Sequence, residues 1–433
     1  MKNKHFSLIV LIITAFTLAA CQPATMPVAT QPQAAVETPV TDNSSTPQNA
    51  GGFVPNLAGP ITECRLEQSI PVIPPDQIPP IPPVSAEDWI MGSPDAEISI
   101  IEYSDFQCPH CANAASQLEK FFQDNADKVN FAFRHLPLIS IHPKAILAHQ
   151  AADAAGAQGK FFEMHDLLFA EQKIWSADTV TSEGFLDYAV KLAEKLELDI
   201  DQFKEDFDSL ETKTKIMASF TDATENIGIN GTPTVFIVIN GVPYAASYDY
   251  GTLTNIMKLI ELDKKRFTEC PPMVINVEKV YEATITTSKG DIKVELYPEE
   301  APLTVNSFVF LATQGFYNNV EFHRVIPGFV AQVGDPSGLG IGGPGYKYVD
   351  EISDLKFDSE GVLGMAKSTA DSNGSQFFIT YAAQSSLDGK YTVFGKVIDG
   401  MDVLNKITAN DPQSGILADK LDRIISISID ERE

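Results

Sequence analysis

Basic residues are scarce in this sequence of 433 residues. Lysine and arginine number 31 against 58 aspartates and glutamates, which gives a formal net charge of −27 at pH 7. Because a strongly acidic surface repels the phosphate backbone of nucleic acids, we expect no nucleic-acid partner. Cysteines are also few, five in all. Because no second Cys or His pair with ligand spacing accompanies Cys108 and Cys111, we predict no zinc site, no other metal and no cofactor.

Long apolar runs are missing as well. The apolar stretch Phe6 to Leu18 is too short for a comfortable transmembrane helix. It follows the positively charged start at Lys2 and Lys4, which predicts a secretory signal peptide over residues 1–20. Cys21 directly follows small residues and resembles a bacterial lipobox. This resemblance implies lipidation of Cys21 and an extracytoplasmic lipoprotein anchored to the cell membrane. The alternative is an ordinary signal cleaved nearby, with Cys21 incidental.

Residues 21–85 are predicted to be the lipidated cysteine and a linker. Residues 22–60 are rich in Pro, Ala, Thr, Gln, Ser and Asn, and they have few large apolar side chains with which to form a core. The proline-rich run from Pro71 to Pro83 favours polyproline II and predicts a stiffer last section. A ligand for a proline-recognition module is the alternative to a spacer.

The length of the chain predicts two or three domains. The first is assigned to residues 86–268. Its predicted elements are a strand over Ile98–Tyr103, the sequence Cys108-Pro109-His110-Cys111, a helix over Ala112–Asn125, a strand over Val129–Arg134, helices from 143 to 228, a strand over Thr234–Ile239 and a helix near 250–266. The two cysteines therefore stand where a strand passes into a helix, as in thioredoxin-type thiol–disulfide exchangers.

The residues of this motif suit thiol chemistry. Cys108 at the first turn of a helix would be stabilised as a thiolate by unpaired amides and the helix dipole, and His110 can donate to it. We therefore predict Cys108 as the nucleophile and Cys111 as the resolving thiol. Stabilising the thiolate stabilises the reduced form, so the Pro109-His110 dipeptide favours donation of disulfides over reduction or isomerisation, which remain the alternatives.

The order strand, Cys-Pro-His-Cys, strand, helical insertion, Gly-Thr-Pro-Thr and strand resembles the DsbA-type thioredoxin family of secreted disulfide oxidoreductases. The resemblance implies an α/β thioredoxin fold with an all-helical insertion. It also implies an acidic residue beneath the active site, at Glu102, which would shuttle the proton of Cys111; a strand-end Glu102 facing solvent is the alternative. Pro233 is predicted to be a cis proline packed against the dithiol, with Thr232 offering its backbone to substrate. An edge-strand proline is the alternative.

Two cysteines, Cys64 and Cys270, lie just outside this domain on either side. In an oxidising compartment they could form a structural disulfide that joins the two ends of the domain. The alternative is two free or intermolecular thiols.

The last part of the chain, residues 278–433, follows a predicted linker over 269–277. A hairpin pattern, a short helix over 301–313 and many short strands with glycine turns predict a small closed barrel. Three stretches, 322–332, 373–379 and 387–395, resemble the motifs of cyclophilins. The resemblance implies an all-β closed antiparallel barrel with short helices and peptidyl-prolyl cis-trans isomerase activity.

The cyclophilin resemblance also assigns site residues. Arg324 matches the catalytic arginine, whose donor would localise the lone pair of the amide nitrogen of an X–Pro bond. The proline pocket and substrate-binding positions are Phe329, Val330, Gln332, Ala366, Phe378, Leu387 and Tyr391. The chain departs from the family at four positions. The family often has Met at the position of Val330, Asn at that of Lys367, Trp at that of Ser386 and His at that of Tyr391. Buried barrel residues would look similar at the aromatic positions.

Together these features predict a membrane-anchored folding factor with two domains that act on unfolded or proline-containing secreted polypeptides. Family resemblance implies that a membrane quinone-linked thiol oxidase reoxidises the dithiol. Two alternatives remain: a disulfide reductase or isomerase with a binding-only barrel, and a non-enzymatic surface peptide-binding protein. Intact Cys108, Cys111 and Arg324 count against the second.

Overall fold

The computed structural model describes residues 63–67, 73–93 and 96–433. The predicted signal peptide over residues 1–20, the predicted lipidation site Cys21 and the linker up to residue 62 lie outside the described residues. The described chain forms two compact units, one made of residues 73–257 and the other of residues 63–67 and 258–433. The division falls after Met257, inside a helix, whereas the predicted boundary followed residue 268.

The strands are numbered in chain order. They are β1 (Cys64–Leu66), β2 (Trp89–Met91), β3 (Ile98–Ser104), β4 (Val129–His135), β5 (Thr234–Ile239), β6 (Val242–Ala246), β7 (Val280–Thr287), β8 (Gly290–Leu296), β9 (Arg324–Ile326), β10 (Val330–Val333), β11 (Tyr346–Tyr348), β12 (Val362–Met365), β13 (Phe377–Thr380), β14 (Val393–Asp399) and β15 (Ile424–Arg432).

The α-helices are α1 (Pro109–Asn125), α2 (Ala145–Ala157), α3 (Phe161–Ala170), α4 (Gln172–Trp175), α5 (Phe185–Lys195), α6 (Ile200–Asp208), α7 (Leu210–Thr221), α8 (Tyr250–Asp263), α9 (Pro302–Thr313) and α10 (Met401–Leu404). A π-helical turn over Asp222–Ile227 continues α7, and short 3₁₀ helices cover Pro75–Gln77 and Ser385–Leu387.

The first unit is built on a five-stranded sheet in the order β2-β4-β3-β5-β6. β3 lies in its centre, parallel to β4 and antiparallel to β5. Six of its seven residues are buried, because neighbouring elements cover both of its faces. Between β4 and β5 the chain forms helices α2 to α7 and the π-helical turn. This arrangement fixes the carboxyl end of β3, from which the Cys108 loop leaves.

Helix α1 packs one face against the sheet. Its buried residues are Cys111, Ala114, Leu118 and Phe121, which recur at the three- and four-residue spacing of one helical face. The helix begins at Pro109, three residues before the predicted start at Ala112. Proline suits the first helical position because its missing N–H would have no partner there.

Part of the predicted linker is packed onto the first unit. Arg134 on β4 donates through Nη2 to the carbonyl oxygens of Pro82 and Pro83, at 2.9 and 3.1 Å, and pairs with Asp88. A proline-rich backbone lacks N–H donors, and here its carbonyls accept from a buried guanidinium. The predicted spacer over Pro71–Pro83 thus ends in ordered structure before residue 86.

The second unit contains an eight-stranded antiparallel sheet in the order β15-β7-β8-β14-β12-β13-β10-β9. Its apolar face and α9 form one core around large side chains such as Phe308, Tyr317 and Phe377. Between the terminal strands, an isolated bridge joins Glu321 to Arg423. The unit is therefore described as a strand-rich half-barrel, and full closure of the barrel stays a prediction.

Residues on both sides of the first unit belong to the second. β1 pairs antiparallel with β11, and a disulfide bond joins Cys64 to Cys270, as predicted. The predicted linker over 269–277 is also packed there, since Ile275 is buried and the Val274 N–H donates to Asn306 on α9. These contacts explain why the second unit begins earlier than the sequence pattern indicated.

Removing the disulfide should destabilise the second unit selectively. Replacing Cys64 and Cys270 with serine is expected to lower its free energy of unfolding by about 3 kcal/mol, because the bridge limits the entropy of the unfolded chain. Both tryptophans, Trp89 and Trp175, lie in the first unit. Tryptophan fluorescence therefore reports unfolding of the first unit, whereas circular dichroism reports both units. In the variant, the circular dichroism transition of the second unit should occur at a lower urea concentration, and the fluorescence transition should not change.

The matched control for this experiment is the variant in which Cys108 and Cys111 are both serine. It should leave the circular dichroism transition of the second unit unchanged. An unchanged transition in the variant without Cys64 and Cys270 would contradict a stabilising role for their disulfide.

Within the part of the chain that the structure describes, no helix has both the length and the apolar character needed to cross a membrane.

Candidate active sites

The two cysteines of the first unit lie at the junction of β3 and α1. Cys108 is the N-cap residue of α1, and Cys111 lies in its first turn. Both are free thiols and both are buried, with Cys108 5% exposed and Cys111 fully enclosed. The Cys111 N–H donates to the carbonyl oxygen of Cys108 at 3.1 Å. The helix start therefore holds the two thiols in one turn, with Cys108 on the outer side.

Three side chains that the sequence analysis missed fix the loop before Cys108. The buried carboxylate of Asp105 accepts from the N–H groups of Gln107 and Leu138 and from Nδ1 of His142, each at 2.7 Å. Gln172 on α4 donates through Nε2 to the carbonyl oxygens of Phe106 and Cys108, each at 2.8 Å. Gln172 is distant in sequence, so no local signal marked it.

The loop before β5 lies against Cys108. The Thr232–Pro233 peptide bond is cis, which confirms the prediction for Pro233. The edge-strand alternative is wrong, because β5 lies between β3 and β6. The sulfur of Cys108 lies 3.5 Å from the carbonyl oxygen of Thr232. The predicted redox residues Cys108, Cys111, Thr232 and Pro233 are thus brought together.

The acidities of the two thiols are shifted in opposite directions. Hydrogen bonding from the Cys111 side chain is the largest cause that lowers the pKa of Cys108, to about 5, and it outweighs the effect of burial. The side chain of Thr232 and the backbone of His110 lower this pKa further. Burial is the largest cause that raises the pKa of Cys111. At neutral pH, Cys108 is therefore the thiolate and Cys111 the thiol.

The other two predicted neighbours lie on the surface. Pro109 and His110 are the first two residues of α1, and both are exposed. The predicted effect of His110 on Cys108 therefore comes at least in part from its backbone, which hydrogen-bonds to Cys108.

Glu102 is fully buried in the middle of the sheet, so the alternative of a solvent-facing side chain is wrong. Its Oε1 accepts from the hydroxyl of Ser104 at 2.8 Å, and Oε2 has no hydrogen-bond partner among the described residues. Burial raises the pKa of Glu102 from 4.5 to about 7. The carboxyl group can therefore take up or release a proton near neutral pH.

Burial of Glu102 should make the stability of the first unit depend on pH. Because its pKa is higher in the folded than in the unfolded chain, the ionised carboxylate destabilises the fold progressively from about pH 4.5 to 7. Glu102→Gln should therefore stabilise the reduced protein by on the order of 3 kcal/mol above about pH 7, and by almost nothing below about pH 4. Urea unfolding followed by tryptophan fluorescence measures this difference.

Glu119→Gln on the exposed side of α1 is the control for this prediction. It should change stability little at either pH. Equal stabilities of Glu102→Gln and the unsubstituted protein at alkaline pH would contradict the destabilising effect of the buried charge.

In the second unit, Arg324 lies on β9 beside β10. In the strand register Arg324 is opposite Gln332, and Gln332 is opposite Phe378 of β13. The Arg324 guanidinium lies 5.8 Å from the ring centre of Phe329, and its Nε is 3.9 Å from Oδ1 of Asp411. Nε has no hydrogen-bond partner among the described residues. The guanidinium is therefore positioned but retains a donor for a ligand.

An apolar cluster lies next to Arg324. It contains every predicted proline-pocket residue except Gln332, namely Phe329, Val330, Ala366, Phe378, Leu387 and Tyr391. The rings of Phe378 and Tyr391 meet edge to face at 5.8 Å. Apolar side chains beside a guanidinium could hold the ring of a proline while the guanidinium donates to the amide nitrogen of that proline.

Further polar residues at this site were not predicted. Gln332 donates through Nε2 to Oε1 of Gln376 at 3.0 Å, and Gln376 donates to the carbonyl oxygen of Gly342 at 2.9 Å. Gln376 lies inside the second of the three cyclophilin-like stretches, so the motif contained the signal. Lys367 pairs with Asp350 and lies 5.4 Å from the ring centre of Tyr391.

Metal binding has no evident site in either unit. Across residues 63–67, 73–93 and 96–433, no three or more His, Cys, Asp and Glu side chains are grouped so that they could hold a metal ion.

Comparison with known proteins identifies both units. Residues 85–258 match the family model of thioredoxin, and residues 282–429 match that of the cyclophilin type peptidyl-prolyl cis-trans isomerases. Peptidyl-prolyl cis-trans isomerase-like 1 of Emericella nidulans is 51% identical over 130 residues, which are 29% of this chain and 80% of that protein.

Two further proteins are similar to the second unit. Peptidyl-prolyl cis-trans isomerase-like 3 of Rhizopus delemar is 49% identical over 142 residues, 30% of this chain and 84% of that protein. A crystal structure of a Cryptosporidium parvum cyclophilin type isomerase has 36% sequence identity and a TM-score of 0.33, and the match covers 36% of this chain and 99% of that chain. A thioredoxin-like domain precedes the C-terminal unit. The C-terminal unit shows that this chain belongs to the cyclophilin type peptidyl-prolyl cis-trans isomerase family.

Proposed function

We propose that this protein is an extracytoplasmic folding factor, anchored to the cell membrane by lipid on Cys21, that combines two activities. Its thioredoxin-like unit is a DsbA-like thiol–disulfide oxidoreductase that donates disulfides. Its cyclophilin unit is a peptidyl-prolyl cis-trans isomerase. The observation that carries the redox part is the position of Cys108 at the start of α1, beside the Thr232–Pro233 loop and with the buried Cys111 thiol in the same turn.

Disulfide donation begins with the Cys108–Cys111 disulfide. A client thiolate attacks the sulfur of Cys108, a mixed disulfide forms, and Cys111 leaves and takes up a proton. A second client thiolate then attacks the client sulfur of the mixed disulfide, so that the client gains a disulfide and Cys108 leaves as a thiolate. A thiol with a low pKa is a good leaving group, so the pKa of Cys108 at about 5 supports donation over reduction.

Prolyl isomerisation needs no covalent step. The barrier of roughly 18–20 kcal/mol arises because the amide nitrogen shares its lone pair with the carbonyl group. In the twisted transition state the lone pair is localised, and a guanidinium N–H of Arg324 would stabilise it. Phe329, Val330 and Phe378 would hold the proline ring, while Gln332 and the backbone at Ala366 hold the substrate chain.

The proposed clients are unfolded or proline-containing secreted polypeptides. Disulfide formation and prolyl isomerisation are both slow steps of their folding. A membrane quinone-linked thiol oxidase is the proposed partner that returns Cys108 and Cys111 to the disulfide. No cofactor takes part in either proposed reaction.

The proposal is tested with the purified full-length protein in two assays. The oxidised protein should introduce disulfides into a reduced, unfolded model protein and be reduced itself, with two client thiols lost per disulfide transferred. The same preparation should accelerate X–Pro isomerisation in a protease-coupled peptide assay. Failure to react with any dithiol would overturn the redox activity, and an uncatalysed isomerisation rate would leave a binding-only barrel.

A further inference from the structure

Disulfide donation raises a problem of proton supply at Cys111. When a client thiolate breaks the Cys108–Cys111 disulfide, Cys111 departs as an anion in a fully enclosed position. Burial strongly favours the neutral thiol there. Because no part of this sulfur is exposed to solvent, a buried group connected to it is a suitable source of the proton. The inference below rests on the proposed redox function.

Ser104 lies between the buried carboxyl group and the buried thiol. Glu102 and Ser104 are two residues apart on β3, so their side chains point to the same face of the sheet, and neither is exposed. The Ser104 hydroxyl donates to Oε1 of Glu102 at 2.8 Å. The N–H of the next residue, Asp105, donates to Sγ of Cys111 at 3.5 Å, which places this sulfur at the end of the same strand.

Ser104 also acts on the Cys111 thiol, whose pKa it lowers against the larger effect of burial. Glu102 has one oxygen on Ser104 and the other, Oε2, without a partner among the described residues. Its neighbours across β4 and β5, Phe133 and Val235, are apolar. The charged or titratable groups that act on Glu102 are therefore Cys108 and Cys111 on α1.

We infer that Ser104 is a further catalytic residue, whose hydroxyl relays a proton from the Glu102 carboxyl group to Cys111 when the disulfide is opened. The Oγ–H bond of Ser104 breaks as its proton passes to the sulfur of Cys111. At the same time Oγ receives the proton of Glu102, which becomes a carboxylate. No electrons are exchanged in this transfer. When the dithiol is reoxidised, the same path runs in reverse and removes the proton of Cys111.

The relay predicts a specific pattern of rates. The full-length oxidised protein is mixed with dithiothreitol in a stopped-flow instrument, and the change in tryptophan fluorescence gives the rate of reduction over a range of pH. Ser104→Ala and Glu102→Gln should each slow this step by about 100-fold near neutral pH, the lower range for general acid catalysis. Because both act through one path, the double variant should be no slower than Glu102→Gln alone.

Ser99→Ala is the matched control, because Ser99 lies on the other face of β3. It should react at the rate of the unsubstituted protein. Ser104→Thr keeps a hydroxyl and should recover most of the rate that Ser104→Ala loses. A decline in rate with rising pH, as the buried Glu102 loses its proton, should be absent from Ser104→Ala.

Three results would overturn the relay. They are an unchanged rate in Ser104→Ala, effects of Ser104→Ala and Glu102→Gln that multiply in the double variant, and the same pH profile with and without the hydroxyl. Should Ser104→Ala not fold, the unsubstituted protein is measured in mixtures of H₂O and D₂O. Two protons in flight predict a curved dependence on the deuterium fraction, and a linear one would overturn the relay. Absence of any reaction in the unsubstituted protein would instead refute the redox function itself.

Discussion

Serine in place of Cys108 is expected to abolish thiol–disulfide exchange, whereas serine in place of Cys111 is expected to trap clients. The difference follows from the positions of the two sulfurs. Cys108 is the outer thiol, whose lowered pKa makes it the thiolate at neutral pH. In Cys111→Ser it can still form a mixed disulfide with an oxidised client, but no second thiol remains to resolve it.

The pH dependence of Cys108 provides a separate measure of the same chemistry. Its alkylation by iodoacetamide should rise with a midpoint at about pH 5 and be constant at neutral pH, because the reactive species is the thiolate. Mass spectrometry of the alkylated, reduced protein identifies the modified residue. Cys111, whose pKa is raised by burial, should stay unmodified in the folded protein.

Mixed disulfides are detected on non-reducing gels after Cys111→Ser is incubated with a scrambled, disulfide-containing client. The control variant, with both Cys108 and Cys111 replaced, should form none. Trapping by Cys108→Ser instead of Cys111→Ser would show that the roles of the two thiols are reversed. An alkylation midpoint near that of an ordinary thiol, about 8.5, would contradict the stabilisation of the Cys108 thiolate.

The sequence was a sufficient guide to features set by local pattern. The patterns that predicted β3, β4, β5 and α1 all depend on residues close in the chain. Their bounds accordingly differ from the prediction by only a few residues. Glu102 was identified through the family resemblance, from its position on the strand before Cys108. Its burial depends on residues distant in the chain, including its neighbours on β4 and β5, which local periodicity does not describe.

The features that were missed depend on contacts between distant residues. Gln172 reaches the carbonyl oxygen of Cys108 across 64 positions. Arg134 holds the proline-rich segment at Pro82 through hydrogen bonds to backbone carbonyls. β1 joins a strand that lies more than 270 residues later in the chain. Composition predicted linkers over 21–85 and 269–277. It reports how much apolar surface a segment can bury by itself, and not which contacts a neighbouring folded domain can make with that segment.

The two units share a chemical strategy although their folds differ. In each unit, a polar side chain at the site is held in place by its neighbours while one of its atoms keeps an unused hydrogen-bonding capacity. Among the described residues, neither Oε2 of Glu102 nor Nε of Arg324 has a hydrogen-bond partner. A buried polar atom without a hydrogen-bond partner costs stability, and at these two positions a proton or a substrate could complete the bonding.

Arg324→Ala is expected to lower kcat/KM for X–Pro isomerisation by on the order of 100- to 1,000-fold, the effect of removing one donor aimed at a developing charge. The ion pair of Arg324 with Asp411 is long, with Nε 3.9 Å from Oδ1, and Nε has no hydrogen-bond partner among the described residues, so its N–H is available to the amide nitrogen. The apolar cluster around Phe329 and Phe378 stays intact in this variant. Most of the loss should therefore appear in kcat, because the ring of the proline is still bound.

The protease-coupled assay measures this loss, and two variants separate the donor from the charge and from the fold. Arg324→Lys keeps the positive charge but not the planar fork of donors, so it should recover only part of the activity. Arg432→Ala removes an exposed arginine paired with Glu282 at the end of the sheet and should leave isomerisation unchanged. Disulfide exchange should be unaffected in all three. Because Arg324 is the only proposed group that acts on the amide nitrogen, an unchanged kcat in Arg324→Ala would remove electrostatic catalysis from this barrel and leave a site that only binds proline.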